Sequence, residues 1–156
     1  RMEEMKISGI AKDNDVARIV VVGVPDEPGM AFRVFNTMAR AKINVDIILQ
    51  SYGKEGTNDI SFTVPLADAD RAAEALEELK ESLCFDHLSV DTNVCKVSIV
   101  GAGMMSASGI AALMFEALYD AKINIQMIST SEIKVSVLID KAYADQAVPI
   151  HNKFFG

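Results

Sequence analysis

The sequence predicts an α+β chain of two similar units with antiparallel sheets, the first unit inserted within the second. Three observations carry this. Residues 41–51, Ala-Lys-Ile-Asn-Val-Asp-Ile-Ile-Leu-Gln-Ser, return at 121–131 as Ala-Lys-Ile-Asn-Ile-Gln-Met-Ile-Ser-Thr-Ser, an offset of 80 residues that runs back through Phe35/Phe115, Ala31/Ala111 and Gly29/Gly109. Each copy alternates apolar runs with helical periodicity in one order. The second copy stops without a last strand, while a strand without a place, Met5 to Ala11, precedes the first.

Ile19 to Val22 is a β-branched run of the kind found in a central strand. It ends in Gly23-Val24-Pro25-Asp26-Glu27-Pro28-Gly29, where two prolines and two glycines forbid a regular element. Met30, Val34, Phe35, Met38 and Ala39 then recur at helical spacing. Val45–Ser51 and Ile60–Val64 read as strands joined by a turn over 53–58. Asp68 opens a second helix that runs to Leu83, with Ala72, Ala75, Leu76 and Leu79 inward. Leu88 to Val94 closes the unit. The order is βαββαβ, the ferredoxin-like arrangement, with two helices on one face of the sheet. The other face needs a cover, commonly a second copy. The second unit repeats the order with strand 96–100, helix 109–121, strands 125–131 and 133–139, and a helix from Ala142 to Phe155. The predicted domains are 16–94, and 4–12 with 95–156.

A net charge of −7 argues against nucleic acid and anionic membrane as partners, since either selects a basic surface. The sequence has no signal peptide and no long apolar run, which predicts a cytoplasmic protein. Cys84 and Cys95 lack metal-ligand spacing and the histidines are only His87 and His151, so neither a disulfide scaffold nor a metal site is expected. Gly101-Ala102-Gly103 follows a strand, but Ser106 stands where a dinucleotide loop has its third glycine. No phosphate loop, nucleophile elbow or acid–base pair is present, and no catalytic residue is assigned. The methionines, Met38, Met114 and Met127 among them, read as core filling. The start at Arg1-Met2 suggests a fragment or a separately made subunit.

Asp26 lies between a strand end and a helix N-terminus. Free helix N–H groups bind a carboxylate and an aspartate holds an ammonium, so together they suit a free α-amino acid; the alternative is a plain turn or capping residue. Asn44 and Asn124 follow the helix ends, either as left-handed exit residues or as ligand contacts. Gln50 and Ser129-Thr130-Ser131-Glu132 put polar groups where an interior strand is apolar, which requires partners across a dimer seam or in a ligand. Glu132 also reads as a solvated turn residue.

Gly-Val-Pro-Asp-Glu-Pro-Gly-Met-Ala (23–31), Ile-Asn-Val-Asp-Ile-Ile-Leu-Gln (43–50), Asp-Ile-Ser-Phe-Thr-Val (59–64), Lys-Val-Ser-Ile-Val-Gly-Ala-Gly-Met (96–104) and Ile-Ser-Thr-Ser-Glu-Ile-Lys-Val-Ser-Val (128–137) resemble the regulatory half of aspartate kinase, a tandem pair of ACT domains, over essentially the whole chain. The resemblance implies feedback inhibition by threonine, lysine or both of an enzyme that phosphorylates aspartate from ATP. It implies that the ATP and Mg sites belong to a kinase domain with no counterpart here, so this chain alone does not catalyse. By motif, Asp26 holds the effector's ammonium, Ala31 lines the loop above it, Asn44, Val45 and Asp46 contact it at the helix exit, and Gln50 reaches in from the strand. Asn124, Ile125, Thr130, Ser131 and Glu132 take the matching places in the second unit. Ala111 stands where some members carry a ligand-reaching threonine, and 102–108 has no counterpart of Asp26. The implied partners are the amino-acid effector, a second copy in a homodimer, and the kinase domain or α subunit. The competing reading is a stand-alone ACT-repeat sensor acting on another enzyme.

Overall fold

The computed structural model describes residues 7–101, 107–132 and 134–146. The chain divides into two compact units, Asp15–Thr92 and Arg1–Asn14 with Asn93–Gly156. Its first strand, β1 (Ile7–Asp13), belongs to the second unit's sheet. The first unit then runs β2 (Val16–Pro25), α1 (Met30–Arg40), β3 (Ile48–Tyr52), β4 (Thr57–Pro65), α2 (Ala69–Glu77), α3 (Lys80–Leu83) and β5 (His87–Asp91). The second has β6 (Val94–Gly101), α4 (Ala107–Asp120), β7 (Met127–Thr130) and β8 (Lys134–Asp140).

Both sheets are antiparallel and four-stranded, in the orders β3-β4-β2-β5 and β1-β6-β8-β7. Strand alternation sends Ile19, Val21, Ile60, Phe62 and Val64 to the helix side, where they pack with Val34, Met38, Ala72 and Leu76. The rings of Phe35 and Phe62 meet edge to face, with centroids 5.3 Å apart. In the second unit, Val97, Ile99, Val135, Val137 and Ile139 pack with Ile110, Met114 and Leu118. Met38, Met114 and Met127 are all buried.

β1 pairs antiparallel with β6, from Asp13 opposite Lys96 to Ile7 opposite Gly101. It thus takes the outer place that β5 holds in the first sheet, beside β2. The first unit is therefore inserted into the second. Of the strand expected over Met5 to Ala11, Met5 and Lys6 lie outside the described residues.

Several boundaries differ from the sequence reading. The helix expected from Asp68 to Leu83 is two helices. Leu79 bonds back only three residues, to Leu76 O at 2.9 Å, which tightens the chain and turns Leu83 and Phe85 into the core. Asp68 does not cap α2; its carboxylate pairs with Arg71 at 3.0 Å. Residues 45–47 are not strand, although Asp46 N–H and Thr63 N–H already exchange bonds across to Thr63 O and Ile47 O. Thr57 and Asn58, read as turn, belong to β4. After β8, Lys141–Gln146 forms 3₁₀ turns with a non-helical Tyr143, so the helix expected from Ala142 does not begin there. Residues 147–155 of that expectation lie outside the described residues.

The two helix exits are the same motif, and the asparagines are not part of it. Lys42 (φ 59°) and Lys122 (φ 60°) are the left-handed residues. Lys42 N–H bonds to Ala39 O and Ile43 N–H to Met38 O; Lys122 and Ile123 repeat the pattern on Tyr119 and Leu118. These paired bonds define the Schellman exit, and Ile43/Met38 and Ile123/Leu118 are its buried apolar pairs. Asn44 and Asn124 stand two residues beyond, both exposed.

Candidate functional site

The site begins where β2 hands over to α1. Gly29 is the N-cap residue, at φ 90°, a conformation that favours glycine. No side chain caps the helix and its first turn carries no acid, so its N-terminal N–H groups keep their positive character. Asp26 is not the cap. It is exposed, and its loop is tied to the β3–β4 hairpin by three bonds. Asp26 N–H donates to Gly56 O at 2.9 Å. Asn58 Nδ2 donates to Asp26 Oδ1 at 2.9 Å. Gly23 N–H donates to Asp59 Oδ1 at 3.0 Å. Asn58 is itself buried, at 8% exposure. Its bond leaves Asp26 Oδ2 with no further partner among the described residues.

β2 and β3 run in the same direction, since each is antiparallel to β4 between them. Val24 and Tyr52 both lie opposite Asn58, so the end of β3 sits at the same end of the sheet as Asp26. Gln50 lies opposite Ile60, whose side chain faces the helices, so Gln50 stands on the helix side of β3. Ala31 is in the first turn of α1 and half-buried against the core. Asp26, Ala31 and Gln50 therefore share one end of the unit.

Asn44, Val45 and Asp46 are at the other end of α1, which spans about 16 Å. Asn44 and Val45 line a concavity of about 370 Å³ with Phe35, Met38, Ala39, Lys42 and Ile43. One amino acid does not reach both groups within a single unit.

In the second unit, Thr130 lies opposite Val135, the register that Gln50 has with Ile60. Ser131 closes the short β7–β8 turn, N–H to Lys134 O at 2.8 Å, and Glu132 beside it is exposed. Asn124 is exposed, while Ala111 and Ile125 are half-buried against the core. Residues 102–106 of the second loop lie outside the described residues.

Sequence reasoning gave no role to Asn58, which was read as turn, or to Asp59, which stood between that turn and the strand from Ile60. The signal was present: two polar residues directly precede the alternating strand Ile60–Val64. On the hairpin's other side, Gly23, Lys54, Thr57, Asp59, Phe85 and Asp86 help line a cavity of about 620 Å³ that contains none of the expected residues. Asp86 is held below the usual carboxylate range, chiefly by its hydrogen bond to His87 at 2.6 Å. Cys84 is exposed; Cys95 is buried, and burial pushes its thiol pKa up. No group of three or more potential metal ligands occurs among the described residues. Nor is any helix there long and apolar enough to cross a membrane.

Residues 18–84 match the ACT domain family, and residues 97–154 match a second ACT domain model. A solved structure of aspartokinase alpha and beta subunits contains a chain 48% identical to this one (TM-score 0.87), with 95% of this chain and 98% of that chain covered. This chain belongs to the aspartokinase family. The regulatory subunit of aspartate kinase from Thermus thermophilus is 37% identical with a TM-score of 0.89, over 96% of this chain and 99% of that one. The aspartokinases of Corynebacterium efficiens and Helicobacter pylori are 44% and 47% identical over 98% and 95% of this chain. The chain spans only 37% and 36% of their lengths. What it matches is therefore the regulatory segment of aspartokinase, a pair of ACT domains.

Proposed function

We propose that this chain is the effector-sensing part of an aspartate kinase and that a free amino acid of the aspartate family, threonine or lysine, binds it and lowers kinase activity. The observation that carries this is Asp26, exposed and held by Asn58, beside the uncapped N-terminus of α1. A carboxylate for an ammonium and helix N–H groups for a carboxylate are the two halves of an α-amino-acid receptor. Ala31 and Gln50 flank that end of the unit.

Asn44, Val45 and Asp46 join the site through a second copy of the chain, while Ala111, Asn124, Ile125, Thr130, Ser131 and Glu132 form the matching positions of the second unit. β3 is an edge strand with Ile48, Leu49 and Tyr52 exposed, the kind of edge that pairs with another chain. Antiparallel pairing of two β3 strands sets the Tyr52 end of one beside the Ile48 end of the other, which brings the two separated groups within reach of one ligand. The effector then favours one arrangement of the dimer, and that preference is its whole inhibitory effect.

The catalytic partner, a kinase domain or α subunit, supplies the ATP and Mg sites, and the assembly is cytoplasmic. The test is phosphotransfer to aspartate by the catalytic partner joined to this chain, across a titration of threonine and of lysine. Inhibition by either, absent when the chain carries Asp26→Ala, is the expected result. Equal activity at all concentrations of both contradicts the proposal.

A further inference from the structure

The repeat allows one copy to be compared with the other at the hairpin that holds Asp26. Up to the β3 and β7 strands the copies align at an offset of 80, so that Gln50 corresponds to Thr130. The second hairpin is five residues shorter, and the registers Gln50–Ile60 and Thr130–Val135 set the offset beyond it at 75. Ser61 and Ser136, opposite Leu49 and Ser129, confirm that offset. At 75, Asn58 corresponds to Ile133 and Asp59 to Lys134. The stretch 102–108 holds no acid. The acid, the amide that holds it and the carboxylate that anchors its loop are thus all absent from the second copy together. From Ala41/Ala121 to Ser51/Ser131, by contrast, six of eleven positions are identical.

A buried asparagine at the start of a strand has a cost unless its amide is bonded. Asn58 spends its Nδ2 on Asp26 Oδ1 at 2.9 Å and sits at 8% exposure. A hydrogen bond to an ionised acceptor is the stronger kind, and it fixes where the carboxylate points. We propose that Asn58 is a positioning residue that presents Asp26 to the effector's ammonium, and that the absence of this pair from the second unit confines ammonium recognition to one site per chain. This rests on the amino-acid-binding reading above and adds what makes the two units unequal. Asp59 supports the same arrangement from the opposite face of β4, through Gly23 N–H.

The test combines calorimetry with a measurement that needs no ligand. In the free protein, the Asn58 side-chain amide signals in an NMR spectrum should shift when Asp26 is replaced by Ala. If they do not move, the bond and the proposal both fail. With threonine or lysine as titrant, whichever binds, the expected stoichiometry is one per chain. Asn58→Leu, which keeps the branched shape and removes the donor, should weaken binding roughly tenfold. The same change made in the Asp26→Ala background should weaken it no further, because the two residues act as one unit. Asn58→Gln, which keeps a donor, should recover part of the loss. Additive losses in the double variant, unchanged affinity in Asn58→Leu, or two equal sites per chain would each overturn the proposal. Should neither amino acid bind the unaltered protein, the functional reading fails while the NMR result still decides the Asn58–Asp26 bond.

Discussion

Asp26 and Asn58 show what residue chemistry reveals and what it hides. An acid between a strand end and a helix start is legible in sequence, because the types and order carry the electrostatics. The amide that holds it is not, because asparagine beside glycine-rich sequence reads equally as turn. The asparagines after the helices went the other way. Asn44 and Asn124 looked fit to end a helix, yet Lys42 and Lys122 adopt the left-handed conformation instead. Position relative to the last helical carbonyls decides that role, and sequence places helix ends only to within a residue or two. A consequence is measurable. Lys42→Gly removes the Cβ penalty of a left-handed residue and should stabilise the first unit by about 1 kcal/mol, read as a higher urea midpoint.

At the scale of elements, periodicity located the strands and helical stretches of the first unit, and the repeat carried that reading into the second as far as β8, where 3₁₀ turns stand in place of the start of the expected helix. What it missed is local. α2 and α3 share one amphipathic pattern, and the break between them follows from a three-residue backbone bond at Leu79 that no side-chain pattern marks. β1 was legible as a strand without a sheet, and the unfinished second unit supplied the place for it. Removing residues 1–14 takes that outer strand from β6 and leaves the first unit's sheet intact. Hydrogen exchange should then lose protection in β6 and β8 while β2 and β4 keep theirs. Equal loss in both sheets would mean that β1 is not part of the second unit alone.

For the molecule as a whole, the fold and family were legible because five motifs in order span the chain. The complete site was not, since the expected residues divide between the two ends of α1 within one unit. No reading of a single copy joins them, and the proposed dimer does. A charge on the exposed edge tests that assembly: Ile48→Lys should shift the protein from dimer to monomer in light scattering and weaken amino-acid binding at the same time. The central claim is that Asp26 receives the ammonium of a free amino acid, and its most direct test is calorimetric titration of the chain and of Asp26→Ala with threonine and with lysine. The account predicts saturable binding of at least one to the unaltered chain and a loss of about tenfold or more in the variant. Binding of equal strength to both proteins would contradict it.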